Sequence, residues 1–346
     1  MPSADNFAAN WPAKPISEIH CTGSRQLTDD ILTSTEPVVL RELVAAWPVV
    51  RAATTSQQAA DAYLRRFYRG ATVTAMHGMP DIGGRFFYND DLTGFNYTSS
   101  RVKLDLVLDA LRDHRLDETP PAIYVGSSAI DNYLPGFRDE NDLDIFATRS
   151  PLVNIWIGNR TRIPAHFDLP DNLACVAAGR RRFTLFPPDQ LGNLYVGPLD
   201  LTPAGQAISL VDFARPDLGK YPKFAAAMEH ARVAELEAGD ALFIPGMWWH
   251  HIEALDSFNL LVNYWWRQSP GYMDTPLNTL MHALLTMRDL PHAQRLAWQE
   301  LFRHYVFESD GEEARHIPQH ARGVLAPFNI DTARTLRADL LNKMKR

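Results

Sequence analysis

The apolar positions along the chain change period more than once. Residues 1 to 35 carry no strong period and read as an irregular lead-in. Glu36 to Arg41 opens on Pro37 and reads as a short strand, at a place where the missing N–H of proline is tolerated. Leu43 to Trp47 starts a turn. From Ser56 to Phe67 the residues Ala60, Tyr63, Leu64 and Phe67 recur at i, i+3, i+4 and i+7, the stripe of an amphipathic helix. Ala71 to Met76 is β-like, and Gly83 to Tyr88 runs into the turn Asn89-Asp90-Asp91. Val102 to Arg112 is a second amphipathic helix.

From Ala122 the pattern shifts to strands of four to eight residues. These are Ala122–Val125, Val153–Ile157, Asn172–Ala178 and Arg182–Phe186. Val233–Leu236 and Ala241–Ile244 flank the tight turn 237–240 and read as outward and return strands, and His250–Leu255 with Phe258–Trp265 reads as the next pair. Residues 189–230 form a long excursion with scattered prolines and little period. Short strands joined by turns imply a sandwich or barrel. After Asp274 the pattern is helical. Leu277, Leu280, Met281 and Leu284 share one face, and Leu296, Trp298, Leu301, Phe302 and Tyr305 line another helix. Asp331 reads as the cap of a last helix with Leu336, Leu340, Leu341 and Met344. There is no internal repeat or low-complexity linker. The expectation is therefore an α+β chain, mainly β. It has an N-terminal mixed α/β extension (1–119), a barrel (120–268) and a C-terminal helical region (269–346).

Composition narrows the partners. A net charge of −7 over 346 residues, with pI near 5.9, lacks the basic face that nucleic acid or an anionic membrane requires. Cys21 and Cys175 lie far apart, and Cys175 sits in the apolar run 173–178, so buried free thiols and a reducing cytoplasm are expected. Met1 to Asn10 holds no apolar leader core, and no run of 18 apolar residues occurs.

The chemistry concentrates in two stretches, Ile163-Pro164-Ala165-His166-Phe167-Asp168 and Pro245-Gly246-Met247-Trp248-Trp249-His250-His251. On a strand, i and i+2 share a face, so His166 and Asp168 can share one metal ion. A third ligand from His250 or His251 would complete a 2-His-1-carboxylate triad, a set that suits non-haem Fe(II). Adjacent strand residues face opposite ways, so only one of that pair can reach the metal. His316 and His320 also have a metal spacing, but Pro318 breaks the helix between them. Of the Trp248, Trp249, Trp265 and Trp266 cluster, alternation sends one of each pair into the core.

In order, PAHFD, GRRRFTLFPPDQL, EAGDALFIPGMWWHHIEAL and LLVNYWW resemble the JmjC/cupin-like 2-oxoglutarate oxygenases. The resemblance is to the subgroup of the factor-inhibiting-HIF asparaginyl hydroxylase, strong over roughly 120–268 and looser over 36–100. It implies a double-stranded β-helix that binds Fe(II), 2-oxoglutarate and O2. It assigns iron to His166, Asp168 and His250, with His251 as the alternative third ligand. It assigns the cosubstrate and its surroundings to Tyr124, Asn172, Arg181, Asn263 and Trp265. Arg181 stands where the family has a lysine, and an arginine can grip a carboxylate bidentately. Ile163 replaces a cosubstrate-binding threonine and Gly126 a substrate-contacting glutamine, so one hydrogen bond is lost and the substrate need not be the same. The implied reaction is hydroxylation of a protein, peptide or small-molecule substrate with release of succinate and CO2; N-demethylation uses the same hydrogen abstraction. The alternatives are a metal cupin without a 2-oxo acid and a non-catalytic ligand-binding cupin. The family also implies a homodimer through the C-terminal helices.

Overall fold

A computed structural model describes residues 13–21, 23–144 and 150–345. The stretch read for a leader, Met1 to Asn10, lies outside them. The chain forms two compact units, the first ending at Gln268 and the second running over 269–346.

In the first unit the described strands are β1 (Lys14–Pro15), β2 (Ser17–His20), β3 (Val38–Arg41), β4 (Thr72–Gly78), β5 (Tyr97–Lys103), β6 (Ala122–Ala129), β7 (Leu152–Gly158), β8 (Arg162–His166), β9 (Asp171–Ala178), β10 (Arg181–Phe186), β11 (Arg232–Leu236), β12 (Ala241–Ile244), β13 (Trp249–Ala254) and β14 (Asn259–Trp266). They make a nine-stranded sheet, β2-β3-β12-β9-β14-β7-β6-β4-β5, and a five-stranded sheet, β1-β11-β10-β13-β8.

Alternation in β9 shows how the two sheets meet. Leu173, Cys175 and Ala177 point to one cluster, packed with the helices Pro48–Thr55, Gln57–Phe67 and Leu104–Asp113. Ala174 and Val176 point the other way, against Phe183 and Leu185 of the small sheet. With both faces covered, the strand reads as a nearly continuous apolar run. Ser56 starts the second helix by accepting a 3.0 Å hydrogen bond from the Ala59 N–H. That helix buries Ala60, Tyr63, Leu64 and Phe67, and each large side chain contributes about 1.5–3 kcal/mol relative to exposure.

The expected strand pairs after residue 230 do not form. β11 and β12 lie in different sheets, as do β13 and β14. Each tight turn crosses from the small sheet to the large one, and the turn at Gly179 between β9 and β10 crosses the other way. The crossings put successive strands on facing sheets. The turn 237–240 is tied to β3 by Asp240, whose carboxylate is 2.5 Å from Arg41 and accepts the Glu42 N–H at 3.0 Å. Gly179 has φ +72°, and a Cβ there would lie 2.5 Å from the Phe258 carbonyl, so only glycine fits this crossing.

The residues before 120 do more than pack on the barrel. β2, β3, β4 and β5 extend the large sheet, and β1 adds to the small one. The lead-in thus contains β1, β2 and the short helix Asp29–Leu32. β2 is exposed at all four positions and so gives no apolar signal. The helix Pro48–Thr55 was also unforeseen, although Pro48 opens it in the way proline often does.

The second unit carries the helices Pro276–Thr286, His292–Phe302 and Ile330–Met344. The last is capped by Asn329, not Asp331. The Asn329 side chain accepts from the Asp331 and Thr332 N–H groups, and Thr332 Oγ1 accepts the Asn329 N–H, a reciprocal capping box.

Candidate active site

His166 ends β8 and faces His250 of β13 directly across the ladder; their ring centroids are 4.4 Å apart. Each imidazole donates through Nδ1 to a backbone carbonyl two residues back, His166 to Pro164 at 2.9 Å and His250 to Trp248 at 3.0 Å. A carbonyl only accepts, so Nδ1 carries the proton and both Nε2 lone pairs are free for a metal.

Asp168 is not on the strand. β8 stops at His166, and Asp168 lies in the loop that follows. Strand alternation therefore does not hold it. Its carbonyl accepts the Met247 N–H at 2.8 Å, which ties it to the 245–248 turn just before β13. Gly246 makes that approach possible, since a Cβ there would lie 2.7 Å from the Leu169 carbonyl. The Asp168 carboxylate comes 3.5 Å from His250 Nε2. One ligand atom each from His166, Asp168 and His250 lies within 4.8 Å of the others, the only such group among the described residues.

The electrostatics suit a cation. Burial, with His250 nearby, pulls His166 down to about 4, so it is neutral at physiological pH. Burial alone would raise the Asp168 carboxyl, but His250, His166 and the Trp265 indole hold it below the ordinary range. The Trp265 N–H nonetheless makes no hydrogen bond among the described residues.

His251 points to the opposite face, its ring 4.5 Å from that of Phe213. The bulge between His250 and Ile252 does not change this separation. Arg180, Arg181 and Arg182 alternate likewise. Arg180 pairs with Asp256 at 2.9 Å and Arg182 with Glu235 at 2.6 Å, both near solvent. Arg181 faces inward and is 3% exposed.

His166, Asp168, His250, Tyr124, Asn172, Arg181, Asn263 and Trp265 all line one cavity of about 390 Å³. Arg181 has no carboxylate within 4.0 Å among the described residues, and its Nε has no hydrogen-bond partner. Burial draws its pKa down to about 10, with Tyr124 opposing. Burial also pushes the Tyr124 phenol well up. Asn263 is held at both ends of its amide: its Oδ1 accepts the Trp156 indole N–H at 2.7 Å, and its Nδ2 donates to Asn172 Oδ1 at 3.0 Å.

Trp156, Phe183 and Leu261 complete the apolar wall, and Pro203-Ala204-Gly205 of the long excursion reach the same cavity. No motif in the sequence points to these residues. Trp156 was visible only as one apolar position of a strand, and 203–205 lie in a segment with no period. Phe86 and Tyr124 of the cavity lining are in ring contact, and Tyr97 packs on Phe86 from behind them. Gly126 is there for space, because a Cβ would press on the Tyr124 and Trp156 rings at 3.1 and 3.2 Å.

Residues 24–272 match the cupin-like domain family. The chain belongs to that family. This cupin-like chain is 32% identical over 129 residues to the Arabidopsis thaliana lysine-specific demethylase JMJ31, covering 36% of this chain and 23% of the relative. It is 33% identical over 136 residues to tRNA wybutosine-synthesizing protein 5 of Mus musculus, covering 39% and 38%. Lysine-specific demethylase 8 of Danio rerio is 27% identical over 263 residues, 74% of this chain and 59% of the relative. The cupin-like chain therefore spans less than two thirds of each of these relatives. The family match agrees with the JmjC/cupin resemblance drawn from the motifs. No helix among the described residues is long and apolar enough to cross a membrane.

Proposed function

We propose that this chain is an Fe(II)- and 2-oxoglutarate-dependent dioxygenase that hydroxylates a protein, peptide or amino-acid-like substrate. The observation that carries the reading is Arg181. A buried guanidinium without a carboxylate is costly, and this one lies in the same cavity as the His166, Asp168 and His250 set. A dicarboxylate with a 2-oxo acid end fits both features: one carboxylate neutralises Arg181 and the other end reaches the metal.

His166, Asp168 and His250 would hold the ion, and the donor set of two bare imidazole nitrogens and one carboxylate is the one Fe(II) takes with positions left open. Bound there, iron supplies the O2 chemistry that couples decarboxylation of the 2-oxo acid to attack on a C–H bond. The chain's own residues orient and exclude. The Pro164 and Trp248 carbonyls fix the imidazole tautomers. Asn263 and Asn172, braced by Trp156, offer amide dipoles along the cosubstrate. Trp156, Phe183, Ile252 and Leu261 keep the cavity dry.

A relative matched over 74% of this chain is named a lysine-specific demethylase, which favours a methylated amine as the second substrate class. Another relative is named for a tRNA modification; the net charge of −7 weighs against a polyanion here. The free, buried Cys21 and Cys175 fit a cytoplasmic setting. We further infer a homodimer through the C-terminal helices. In the 269–346 unit Ala314 is the one buried apolar side chain among the described residues, while Leu285 and Phe307 are 83% and 77% exposed. Such faces call for cover.

The test is Fe(II)-dependent conversion of 2-oxoglutarate to succinate, with methyl-lysine peptides and unmodified peptides added in turn. Stimulation by the unmodified peptides supports hydroxylation, and release of formaldehyde moves the assignment to demethylation. Absence of iron-dependent succinate under every condition rejects the reading.

A further inference from the structure

The strands that line the inner cavity send their other residues outward. On β8, Ile163 faces in and Arg162 out; in the segment laid along it, Phe86 faces in and Arg85 out. That segment is fixed. The Arg162 N–H donates to the Gly84 carbonyl at 2.8 Å, and the Phe86 N–H to the Arg162 carbonyl at 3.3 Å. Gly84, at φ +78°, allows the approach, because a Cβ would lie 2.2 Å from the Arg160 carbonyl. Behind it opens a second cavity of about 540 Å³.

Four arginines line this outer cavity, Arg85, Arg162, Arg182 and Arg215, against three carboxylates. Two of the arginines are spoken for: Arg162 is 3.0 Å from Asp212, and Arg182 sits between Glu235 and Glu253. The third carboxylate, Asp81, is exposed. Arg85 and Arg215 have no carboxylate within 4.0 Å among the described residues. Arg85 is partly buried. Its guanidinium lies 3.6 Å over the Phe87 ring and makes one hydrogen bond, at 3.2 Å, to the Leu210 carbonyl. A guanidinium has five N–H donors in a flat fork. Desolvation, with Arg162 adding repulsion against the pull of Asp212, draws its pKa down to about 10.

We propose that the outer cavity is a binding site for a small oxyanion, a phosphate or carboxylate group, gripped by the free fork of Arg85 with exposed Arg215 at its rim. A flat fork with unused donors in a partly dry pocket is the arrangement that binds such anions bidentately. The site is separate from the Arg181 cavity and does not rest on the dioxygenase reading.

The experiment is calorimetric titration of the full chain with inorganic phosphate, and separately with malonate. Both are repeated in Arg181→Ala protein, in which the inner cavity is silenced. One site per chain is expected in Arg181→Ala protein, and phosphate should bind it as tightly as it binds wild type. Arg85→Ala should weaken it at least tenfold and Arg215→Ala severalfold. Arg85→Lys keeps the charge, loses the fork, and should fall between. Tighter phosphate supports a phosphoryl occupant and tighter malonate a carboxylate one, at the same site. The proposal is overturned if neither anion binds at 10 mM, taken as roughly the weak limit of a specific site, or if binding disappears with Arg181→Ala. Should Arg85→Ala not fold by circular dichroism, unchanged affinity in both Arg85→Lys and Arg215→Ala overturns it equally.

Discussion

Replacing Arg181 by alanine should separate cosubstrate binding from metal binding. The guanidinium is 3% exposed and has no anionic partner among the described residues. Its pKa of about 10 means that burial disfavours the charged form by on the order of 3 kcal/mol. An incoming carboxylate recovers that cost and adds the ion pair. Removing the cation leaves the carboxylate buried and unpaired, a loss of about 3–5 kcal/mol. That corresponds to roughly two to three orders of magnitude in affinity. Arg181→Lys should lie between, because it keeps the charge and loses the fork. Iron affinity should hardly change, since Arg181 is not among the grouped ligands. In the absence of cosubstrate the sign reverses: Arg181→Met should unfold at the same temperature as wild type or higher. The assay is an anaerobic titration of 2-oxoglutarate into iron-loaded protein, read by the metal-to-ligand charge-transfer band. An unchanged midpoint in Arg181→Ala would refute the reasoning and leave the cosubstrate carboxylate to another cation.

His166→Ala, Asp168→Ala and His250→Ala should each lose iron by metal analysis while staying folded, whereas His251→Ala keeps it; the reverse for the two adjacent histidines would move the third ligand by one. Metal-free protein should lose stability as pH falls. His166 at about 4 and His251 at about 3 lie below the unfolded value near 6.5, so the unfolded chain binds protons first. Their contribution is complete above about pH 6.5 and is lost as pH falls toward the folded values, about 2 kcal/mol for each between pH 7 and 5. In denaturant melts His251→Phe should lower that slope, and a slope unchanged from wild type would contradict the assignment. The full chain should sediment as a dimer and a chain ending at 330 as a monomer or aggregate; a full-length monomer at micromolar concentration removes the dimer.

The sequence disclosed most of the site because its residues come in pairs of unlike neighbours. Alternation separates Arg181 from Arg180 and Arg182, and it says that only one of His250 and His251 can reach the metal. Choosing between those two needed the register of β13 against β8, a long-range property. Asp168 was placed on the right side for an incomplete reason, since the turn at Met247 holds it and not the strand. The pairings of β11 with β12 and β13 with β14 failed because a tight turn looks the same in sequence whether it closes a hairpin or crosses between sheets. Trp156 and 203–205 were not legible: their place at the cavity follows from packing, to which no local period points.

Whether one cavity holds both metal and cosubstrate is tested most directly by a crystal structure of the full chain grown anaerobically with Mn(II) and 2-oxoglutarate. The ion is expected on His166, Asp168 and His250, with one cosubstrate carboxylate against Arg181 and the 2-oxo acid end on the metal. An ion bound elsewhere, or a 2-oxoglutarate whose far carboxylate avoids Arg181, would contradict it.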